Sequence, residues 1–331
     1  MTTHTTTERI EADAPGSEER AQFAEDVRYY LSLNPPQLPS RYLYDPLGSA
    51  LFEAICHLPW YGITRAESAL LGAHAADIFN RLEPLSRIIE LGPGSGEKLR
   101  TLLQGSAARR ARLDVHLVDV SQTALRSSMQ TLGSVDDVRI IEHAASYEAG
   151  IAEAAAQAPR PGRTLVLFLG SNIGNFDPPG AAELLRSIRG ALREGDALLL
   201  GADLVKPAEQ LQLAYDDPLG VTAAFNRNLL VRINRELHGD FDITEFDHEA
   251  VWNAGESRME MHLRARIAQQ VRIPGAGIVI TFEAGERIWT ESSYKYRPAE
   301  IVELLADARF GYAAQWIDAG ESFALTLVEA H

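Results

Sequence analysis

A turn of alternating glycines is the feature of this sequence with the clearest chemical meaning. The apolar run 87–91 includes Glu90 and leads into Gly92-Pro93-Gly94-Ser95-Gly96-Glu97-Lys98. Glycines permit a sharp turn and let a ligand approach the backbone at the carboxyl end of a strand. The spacing fits neither the G-x-G-x-x-G dinucleotide fingerprint nor a phosphate loop, which needs Gly-Lys-Ser/Thr. We therefore expect another kind of small-molecule site, with a purely structural turn as the alternative.

A second acid, Asp119, ends the next predicted strand, residues 114–119. In open α/β folds, an acid at the tip of the second strand binds ribose hydroxyls. The alternative role is a helix N-cap, because the residues from Ser121 onward have a helical pattern. The E-x-G-x-G-x-G pattern that starts at Glu90 resembles the first motif of S-adenosylmethionine (SAM)-dependent methyltransferases.

Two further groups could recognise a small polar ligand. Gly170 and Asn175 follow the predicted strand 164–169, at the sheet edge where such folds bind ligands; a capped turn is the alternative. Glu291 and Ser293 would share one face of a strand, where a carboxylate beside a hydroxyl suits an imidazole. A solvated strand end is the alternative for that pair.

Three tyrosines complete the set of candidates. Tyr44, Tyr61 and Tyr215 each lie near Asp, Pro or Gly. A tyrosine combines a flat ring with a hydroxyl, which suits the binding of a small amine or carboxylate. Ordinary aromatic packing is the alternative for each of them.

The elements that must position these residues alternate between strand and helix. Strands are predicted at 87–91, 114–119, 138–142, 164–169 and 196–201, with helices between them. This alternation predicts a parallel sheet with right-handed crossovers. Asp177-Pro178-Pro179-Gly180 superficially resembles the motif of DNA amino-methyltransferases, but Gly180 replaces the aromatic residue that would stack on a base. We interpret that segment as a helix start.

The alternation stops after Lys206 and resumes beyond Pro298. Between them, runs at 258–267 and 269–272 are typical of antiparallel strands, and a polar, asparagine-rich stretch precedes them. Residues 42–61 are rich in turns and aromatic residues. We expect a disordered tail (1–14), a substrate-binding domain (15–66 with 207–295) and a larger α/β domain (67–206 with 296–331).

Composition excludes several classes of function. The net charge is −15 and there is no basic stretch, which argues against a nucleic-acid partner. No apolar run reaches the length of a membrane span, and the polar N-terminus lacks the apolar core of a signal peptide. The nine histidines have no metal-ligand spacing, and Cys56 is the only cysteine. We expect a cytoplasmic, monomeric protein without a metal.

Several longer motifs occur together along the chain. They are Tyr44-Asp45-Pro46-Leu47-Gly48-Ser49, Leu58-Pro59-Trp60-Tyr61, Phe168-Leu169-Gly170-Ser171, Ile173-Gly174-Asn175, Asp203-Leu204-Val205-Lys206, Ala214-Tyr215-Asp216-Asp217, Phe225-Asn226-Arg227-Asn228, Asn234-Arg235-Glu236-Leu237, Met259-Glu260-Met261 and Thr290-Glu291-Ser292-Ser293. With them the chain resembles the histidine Nα-methyltransferases of ergothioneine biosynthesis, from about Leu38 to Ala330. That family trimethylates histidine to hercynine with three molecules of SAM.

The resemblance implies a fold and a set of roles. The fold would be α/β, a class I methyltransferase with a Rossmann-like, seven-stranded sheet and a smaller α+β substrate domain. Tyr44 and Gly170 would face the reacting amine, with Tyr44 a candidate base through water. The other implied contacts are Glu90, Gly92, Gly94, Lys98, Asp119 and Tyr147 for SAM, Tyr61, Asn175, Tyr215 and Met261 for the substrate, and Glu291 with Ser293 for the imidazole.

Two positions depart from the family pattern. Asn172 replaces a Thr in the loop after the fourth strand, at the rim of the substrate site. Ser146-Tyr147 replaces an Asp-Phe pair; Tyr147 can still stack on adenine, but Ser146 is a poorer partner for the exocyclic amine. The alternative functions are the same reaction on a tryptophan-like amino acid, a SAM-binding protein without catalysis, and a nucleic-acid methyltransferase.

Overall fold

The computed structural model describes residues 17–105, 113–157, 161–320 and 322–331. The predicted tail, residues 1–14, lies outside the described residues. The helices are α1 Ser17–Leu31, α2 Pro46–Cys56, α3 Ile63–Arg81, α4 Glu97–Gln104, α5 Gln122–Leu132, α6 Tyr147–Ala156, α7 Pro178–Ala191, α8 Ala208–Tyr215, α9 Val221–Leu237 and α10 Pro298–Asp307. The strands are β1 Leu85–Leu91, β2 Leu113–Asp119, β3 Val138–Ala144, β4 Arg163–Phe168, β5 Ala197–Asp203, β6 Phe246–Asn253, β7 Arg258–Ala265, β8 Gln269–Ile273, β9 Ile278–Phe282, β10 Arg287–Tyr294, β11 Phe310–Ile317 and β12 Phe323–Ala330.

Seven strands form the main sheet, in the order β11-β12-β5-β4-β1-β2-β3. The strands β1 to β5 pair in parallel, whereas β12 is antiparallel to both β5 and β11. Residues 165–168 of β4 are fully buried, as a central strand covered on both faces requires. The predicted class I methyltransferase fold is confirmed. The predicted helix start at Asp177 is also confirmed, since its side chain caps α7.

The segment between β5 and α10 forms a second, antiparallel sheet. Its order is β10-β7-β6, and β8 and β9 form a separate two-stranded ribbon. The small sheet reaches the main one beside the short 3₁₀ turn 172–175. A Cβ on Gly174 would lie 2.7 Å from the carbonyl oxygen of Tyr294, so only glycine allows this approach. The proposed division into two domains stays a prediction.

Two helices occur where the sequence indicated only turns or polar coil. α2 begins at the N-cap Asp45, whose carboxylate accepts the Gly48 backbone N–H at 2.7 Å. α9 contains the fully buried Asn226 and the almost fully buried Asn228, so polar residues interrupt its apolar face. The apolar positions that remain, Phe225, Leu229, Leu230, Ile233 and Leu237, follow a helical spacing and are buried. No described helix is long and apolar enough to cross a membrane.

Candidate active site

One cavity joins the small sheet to the carboxyl edge of the main sheet. It encloses about 480 Å³ of empty space, part of it open to solvent. All the residues expected to face the substrate or the reacting amine line it: Tyr44, Tyr61, Gly170, Asn175, Tyr215, Met261, Glu291 and Ser293. They come from α8, β7, β10, the loop and 3₁₀ turn after β4, and the segments just before α2 and just before α3. Residues far apart in sequence therefore meet at one place.

Aromatic rings form one side of this cavity. The ring centroid of Tyr44 lies 5.4 Å from that of Phe52 and 5.5 Å from that of Phe225, and both pairs are edge-to-face. Tyr61 and Tyr215 are 6.5 Å apart in a similar arrangement. Burial, and then the nearby Glu291, raise the pKa of Tyr44 well above its usual value, so this phenol is neutral near pH 7. Such a wall offers ring faces and neutral hydroxyls to a cationic ligand.

Two polar residues that line the cavity, Tyr215 and Ser293, contact a buried lysine that the sequence analysis did not identify. Lys295 donates hydrogen bonds to Tyr215 Oη at 2.7 Å and to Ser293 Oγ at 2.9 Å. Its Nζ also forms an ion pair with Asp203 Oδ2 at 2.9 Å. Tyr215 Oη and Ser293 Oγ are themselves 2.8 Å apart. Lys295 follows Ser293 by two residues, so the strand alternation that linked Glu291 with Ser293 extends to it.

Glu291 lies on the same face and is almost fully buried. Burial raises its pKa to about 7, and the positive charge of Lys295 opposes that rise. Met261 is its partner in the register between β10 and β7. Near neutral pH, Glu291 can therefore accept an N–H hydrogen bond when ionised, beside an apolar thioether.

The glycine turn after β1 has the conformation that its sequence predicted. Gly92, Gly94 and Gly96 have φ values of 70°, 58° and 78°, a region that favours glycine. A Cβ on Gly92 would lie 2.8 Å from both Tyr147 Oη and Asn172 Nδ2. Tyr147 and Asn172 therefore cover this turn, and Asn172 also lines the cavity.

Two acids lie at the same edge. Glu90 is buried, its pKa is raised to about 8 by that burial, and its Oε2 has no hydrogen-bond partner among the described residues. A buried carboxyl oxygen without a partner, beside this glycine turn, suits a ligand with N–H donors, such as the ammonium group of SAM. Burial also raises the pKa of Asp119 to about 6.

The alternative role of Asp119 as a helix cap is wrong. α5 is capped by Ser121, whose Oγ accepts the Ala124 N–H, while Asp119 Oδ1 accepts the Ser121 N–H at 2.8 Å. Ser146 likewise caps α6 by accepting the Ala149 N–H. The serine that departs from the family pattern thus has a structural role at the start of that helix.

A buried carboxylate, Glu67 of α3, connects Lys98, which follows the glycine turn, to Gly170 in the cavity. It accepts the Gly170 backbone N–H at 2.8 Å and forms an ion pair with Lys98 Nζ at 2.7 Å. Burial lowers the pKa of Lys98, but Glu67 outweighs it and the net shift is upward. A Cβ on Gly170 would lie 2.8 Å from Lys98 Nζ, so the two predicted sites adjoin there.

No group of three His, Cys, Asp or Glu side chains within the described ranges could hold a metal ion. The acids, lysines, tyrosines and glycines named above can offer hydrogen bonds, fixed charges and aromatic faces to an organic cofactor and a small polar substrate.

Comparison with known proteins identifies the family of this chain. A family model described as "Histidine-specific methyltransferase, SAM-dependent" matches residues 23–330. The chain is 43% identical over 305 residues to a histidine N-alpha-methyltransferase of Mycolicibacterium smegmatis, covering 91% of this chain and 93% of that protein. The corresponding protein of Mycobacterium tuberculosis is 42% identical with the same coverage.

A more distant relative has a longer chain. Ergothioneine biosynthesis protein 1 of Schizosaccharomyces pombe is 28% identical over 295 residues, which cover 86% of this chain and 38% of that protein. The family match spans almost all of the described structure, including every element around the cavity. The chain belongs to the family of SAM-dependent, histidine-specific methyltransferases.

Proposed function

We propose that this protein transfers three methyl groups from SAM to the α-amino nitrogen of L-histidine, forming hercynine, the first step of ergothioneine biosynthesis. The observation that carries the proposal is the cavity, which Glu291 and Ser293 line together with Gly170 and a group of aromatic rings. A carboxylate and a hydroxyl on one strand face complement the two ring nitrogens of an imidazole. The names of the two bacterial relatives given above support the same substrate.

The proposed roles follow from position. SAM supplies a methyl group that its sulfonium already activates, so the protein mainly has to orient the amine. Glu90, Gly92, Gly94, Lys98, Asp119 and Tyr147 would hold the cofactor. Tyr61, Asn175 and Tyr215 would hold the polar ends of histidine, and Met261 would pack on its ring. Asn172 would lie at the boundary between the two ligands.

Tyr44 and Gly170 would face the reacting amine, and Tyr44 would assist its deprotonation through water. Tyr44 is a neutral phenol, so it can accept a hydrogen bond from an amine N–H and pass its own proton to water. It would act as a relay and would not store the proton. As methyl groups accumulate, the faces of Tyr44 and Phe225 favour the permanent cation.

Mass spectrometry of the purified protein with SAM and each of the twenty amino acids separately tests the proposal. We expect histidine alone to gain one, two and three methyl groups. Methylation of tryptophan instead would contradict the histidine assignment and leave the methyl-transfer chemistry standing. Binding of SAM without any methylated amino acid would contradict the enzymatic function.

The Glu291→Gln variant tests the imidazole contact within the same reaction. Gln keeps the size of the side chain but loses the charge that accepts the ring N–H, which we expect to cost about 1–3 kcal/mol of histidine binding. KM for histidine should rise accordingly. Glu260→Gln on β7 is a matched control, because Glu260 pairs with Arg258 and Asn253 and does not line the cavity. An unchanged KM in Glu291→Gln would contradict the contact.

We also propose that the protein acts as a cytoplasmic monomer on small molecules, without nucleic acid or membrane. The net charge of −15 supports the lack of a nucleic-acid partner, since a polyanion would be repelled. Light scattering and a gel-retardation assay would check the monomeric state and the lack of nucleic-acid binding.

A further inference from the structure

Glu67 is a buried carboxylate that contacts both candidate sites, and the roles proposed above do not include it. Its side chain has no exposed surface. Both of its oxygens accept the Gly170 N–H, Oε1 at 2.8 Å and Oε2 at 3.0 Å, and Oε2 also lies 2.7 Å from Lys98 Nζ. A buried carboxylate is costly unless such partners compensate its charge. Glu67 and Lys98 therefore form a neutral pair directly beside Gly170.

The main sheet makes room for this carboxylate at Gly201 of β5. Gly201 pairs regularly with Leu325 of β12, so the strand itself does not require a glycine at this position. A Cβ there would lie 2.1 Å from Glu67 Oε1. A glycine inside a strand often marks a place where another group approaches closely. Here that group is the carboxylate of Glu67, which fits only because position 201 has no side chain.

The contact with Glu67 also fixes the turn that brings Gly170 to the cavity. Gly170 and Ser171 have φ values of 76° and 59°, and the Asn172 N–H donates to the Leu169 carbonyl oxygen at 3.4 Å. Two successive positive φ values are those of a type I′ turn, which is strained for a serine. Two contacts hold the turn in this form. Glu67 accepts the Gly170 N–H, and Ser171 Oγ accepts a backbone N–H from the end of β5 at 3.0 Å.

The charge at this corner of the cavity matters because the proposed reaction creates a cation there. In each transfer the nitrogen lone pair forms the new N–C bond while the C–S bond breaks and leaves its electron pair on sulfur. The positive charge thus passes from sulfur to nitrogen; the first two products lose a proton to water, and the third keeps its charge. Lys98 without Glu67 would repel that charge, because Coulomb energies are large where water is scarce. Glu90 also interacts with Lys98, but burial raises the pKa of Glu90 to about 8, so it is largely uncharged near pH 7.

We propose that Glu67 is a positioning residue that lets the Gly170 corner of the cavity hold a cationic nitrogen, because it neutralises Lys98 beside that corner. Glu67 acts through Lys98 and does not touch the substrate. This inference rests on the proposed function and concerns only the charged end of the ligand. The imidazole and the carboxylate of the substrate have other partners, so a change at Glu67 should affect only ligands that carry the positive charge.

Two ligands of equal shape isolate this charge. Hercynine carries a permanent trimethylammonium group, and its isostere with a tert-butyl group on the same carbon has the same shape without the charge. Their Kd values would be measured by calorimetry at pH 7 without SAM. Glu67→Gln keeps the size of the side chain and an oxygen for the Gly170 N–H. In this variant we expect the Kd of hercynine to rise at least about tenfold and that of the isostere to change less than about threefold.

Asp196→Asn is the matched control. Asp196 is likewise a buried carboxylate that accepts a backbone N–H of β4, from Thr164 at 2.7 Å, and it pairs with a basic side chain, Arg193. It acts at the amino end of β4 and does not line the cavity, whereas Glu67 acts just beyond the carboxyl end. We therefore expect Asp196→Asn to leave the ratio of the two Kd values unchanged.

The double variant Glu67→Gln/Lys98→Met removes both charges of the pair. It should bring the ratio of the two Kd values back to within about threefold of that in the unaltered protein. It also guards against misfolding of the single variant, because no lysine is left without its carboxylate. A role of Glu67 in folding alone would weaken both ligands alike, and the second substitution would not reverse that effect.

Three results would overturn the inference: equal weakening of both ligands in Glu67→Gln, an unchanged Kd of hercynine in that variant, or a ratio that the double variant does not restore. The proposed function has a separate test, since it fails if the unaltered protein does not methylate histidine in the mass-spectrometric experiment. The two failures are therefore distinguishable.

Discussion

At the scale of single residues, Gly92 combines two constraints that a side chain would violate. Its φ of 70° is unfavourable for other residues by about 1–2 kcal/mol, and an added Cβ would lie 2.8 Å from Tyr147 and Asn172. We expect Gly92→Ala to displace these two side chains from the cofactor turn. The affinity for SAM, measured by calorimetry, should fall on the order of tenfold or more, equivalent to at least about 1.4 kcal/mol.

The control for this change is Gly220→Ala. Gly220 has a φ of 74°, and a Cβ there would meet nothing within 4 Å. It therefore reproduces the backbone strain without the collision, and we expect it to lower stability while leaving SAM affinity unchanged. If Gly92→Ala bound SAM as tightly as Gly220→Ala, the steric account of the turn would be wrong.

The sequence revealed site residues only where a local pattern exists. Glu291 and Ser293 were recognised from strand alternation, and the glycine turn from its spacing. Lys295 obeys the same alternation, but a lysine is expected at the surface, and only the tertiary structure shows it fully buried. Glu67 has no local pattern at all, because the Gly170 N–H that it binds is 103 positions away in sequence.

At the scale of elements, the start of α2 is tied to α9 through Asp45. Besides capping α2, this buried carboxylate accepts hydrogen bonds from Asn228 Nδ2 at 2.6 Å and Arg235 Nη2 at 2.7 Å. Asp45→Ala removes the cap and leaves Asn228 without that partner. We expect a loss of about 2–4 kcal/mol in the free energy of unfolding, measured with urea.

Asp177→Ala provides a matched comparison, because Asp177 also precedes a proline and caps a helix by accepting the N–H of a glycine, Gly180. That cap is exposed, so we expect only about 1 kcal/mol. Equal losses in the two variants would show that the connection from Asp45 to α9 contributes nothing.

The same two helices explain the limits of sequence-based prediction at this scale. Strands β4 and β5 are buried on both faces, so continuous apolar runs identify them. In α2, the first turn contains a proline and a glycine, which are typical of a loop. Only the capping hydrogen bond of Asp45 identifies this segment as a helix start. In α9, buried asparagines bind distant partners, such as the carbonyl of His262 for Asn226, and this obscures the apolar periodicity.

At the scale of the whole molecule, stability should depend on pH through buried carboxyl groups at the site. Burial raises the pKa of Glu90 from 4.5 to about 8, so between these values the folded protein holds a proton that the unfolded chain releases. The free energy of unfolding therefore falls as pH rises through this window, by up to about 1.4 kcal/mol per pH unit for this group. Glu291 and Asp119, whose pKa values are also raised, act in the same direction.

Glu90→Gln removes the largest of these contributions while keeping the shape of the side chain. We expect the variant to gain stability over the unaltered protein progressively from pH 5 to pH 8, when both are unfolded with urea in the absence of SAM. A stability difference that is the same at both pH values would contradict the assignment of a neutral, buried Glu90.

The position of β12 between β5 and β11 has a kinetic consequence. Phe323 pairs with Asp203, although the segment that forms the small sheet lies between them in sequence. The entropy of closing so long a loop must be overcome before these contacts form. Asp203 is also the ion-pair partner of Lys295, which donates hydrogen bonds to the cavity residues Tyr215 and Ser293. The step that completes the main sheet thus also fixes the support of two cavity residues. During refolding from urea, helical circular dichroism should recover early, and catalytic competence should return only in the slowest phase.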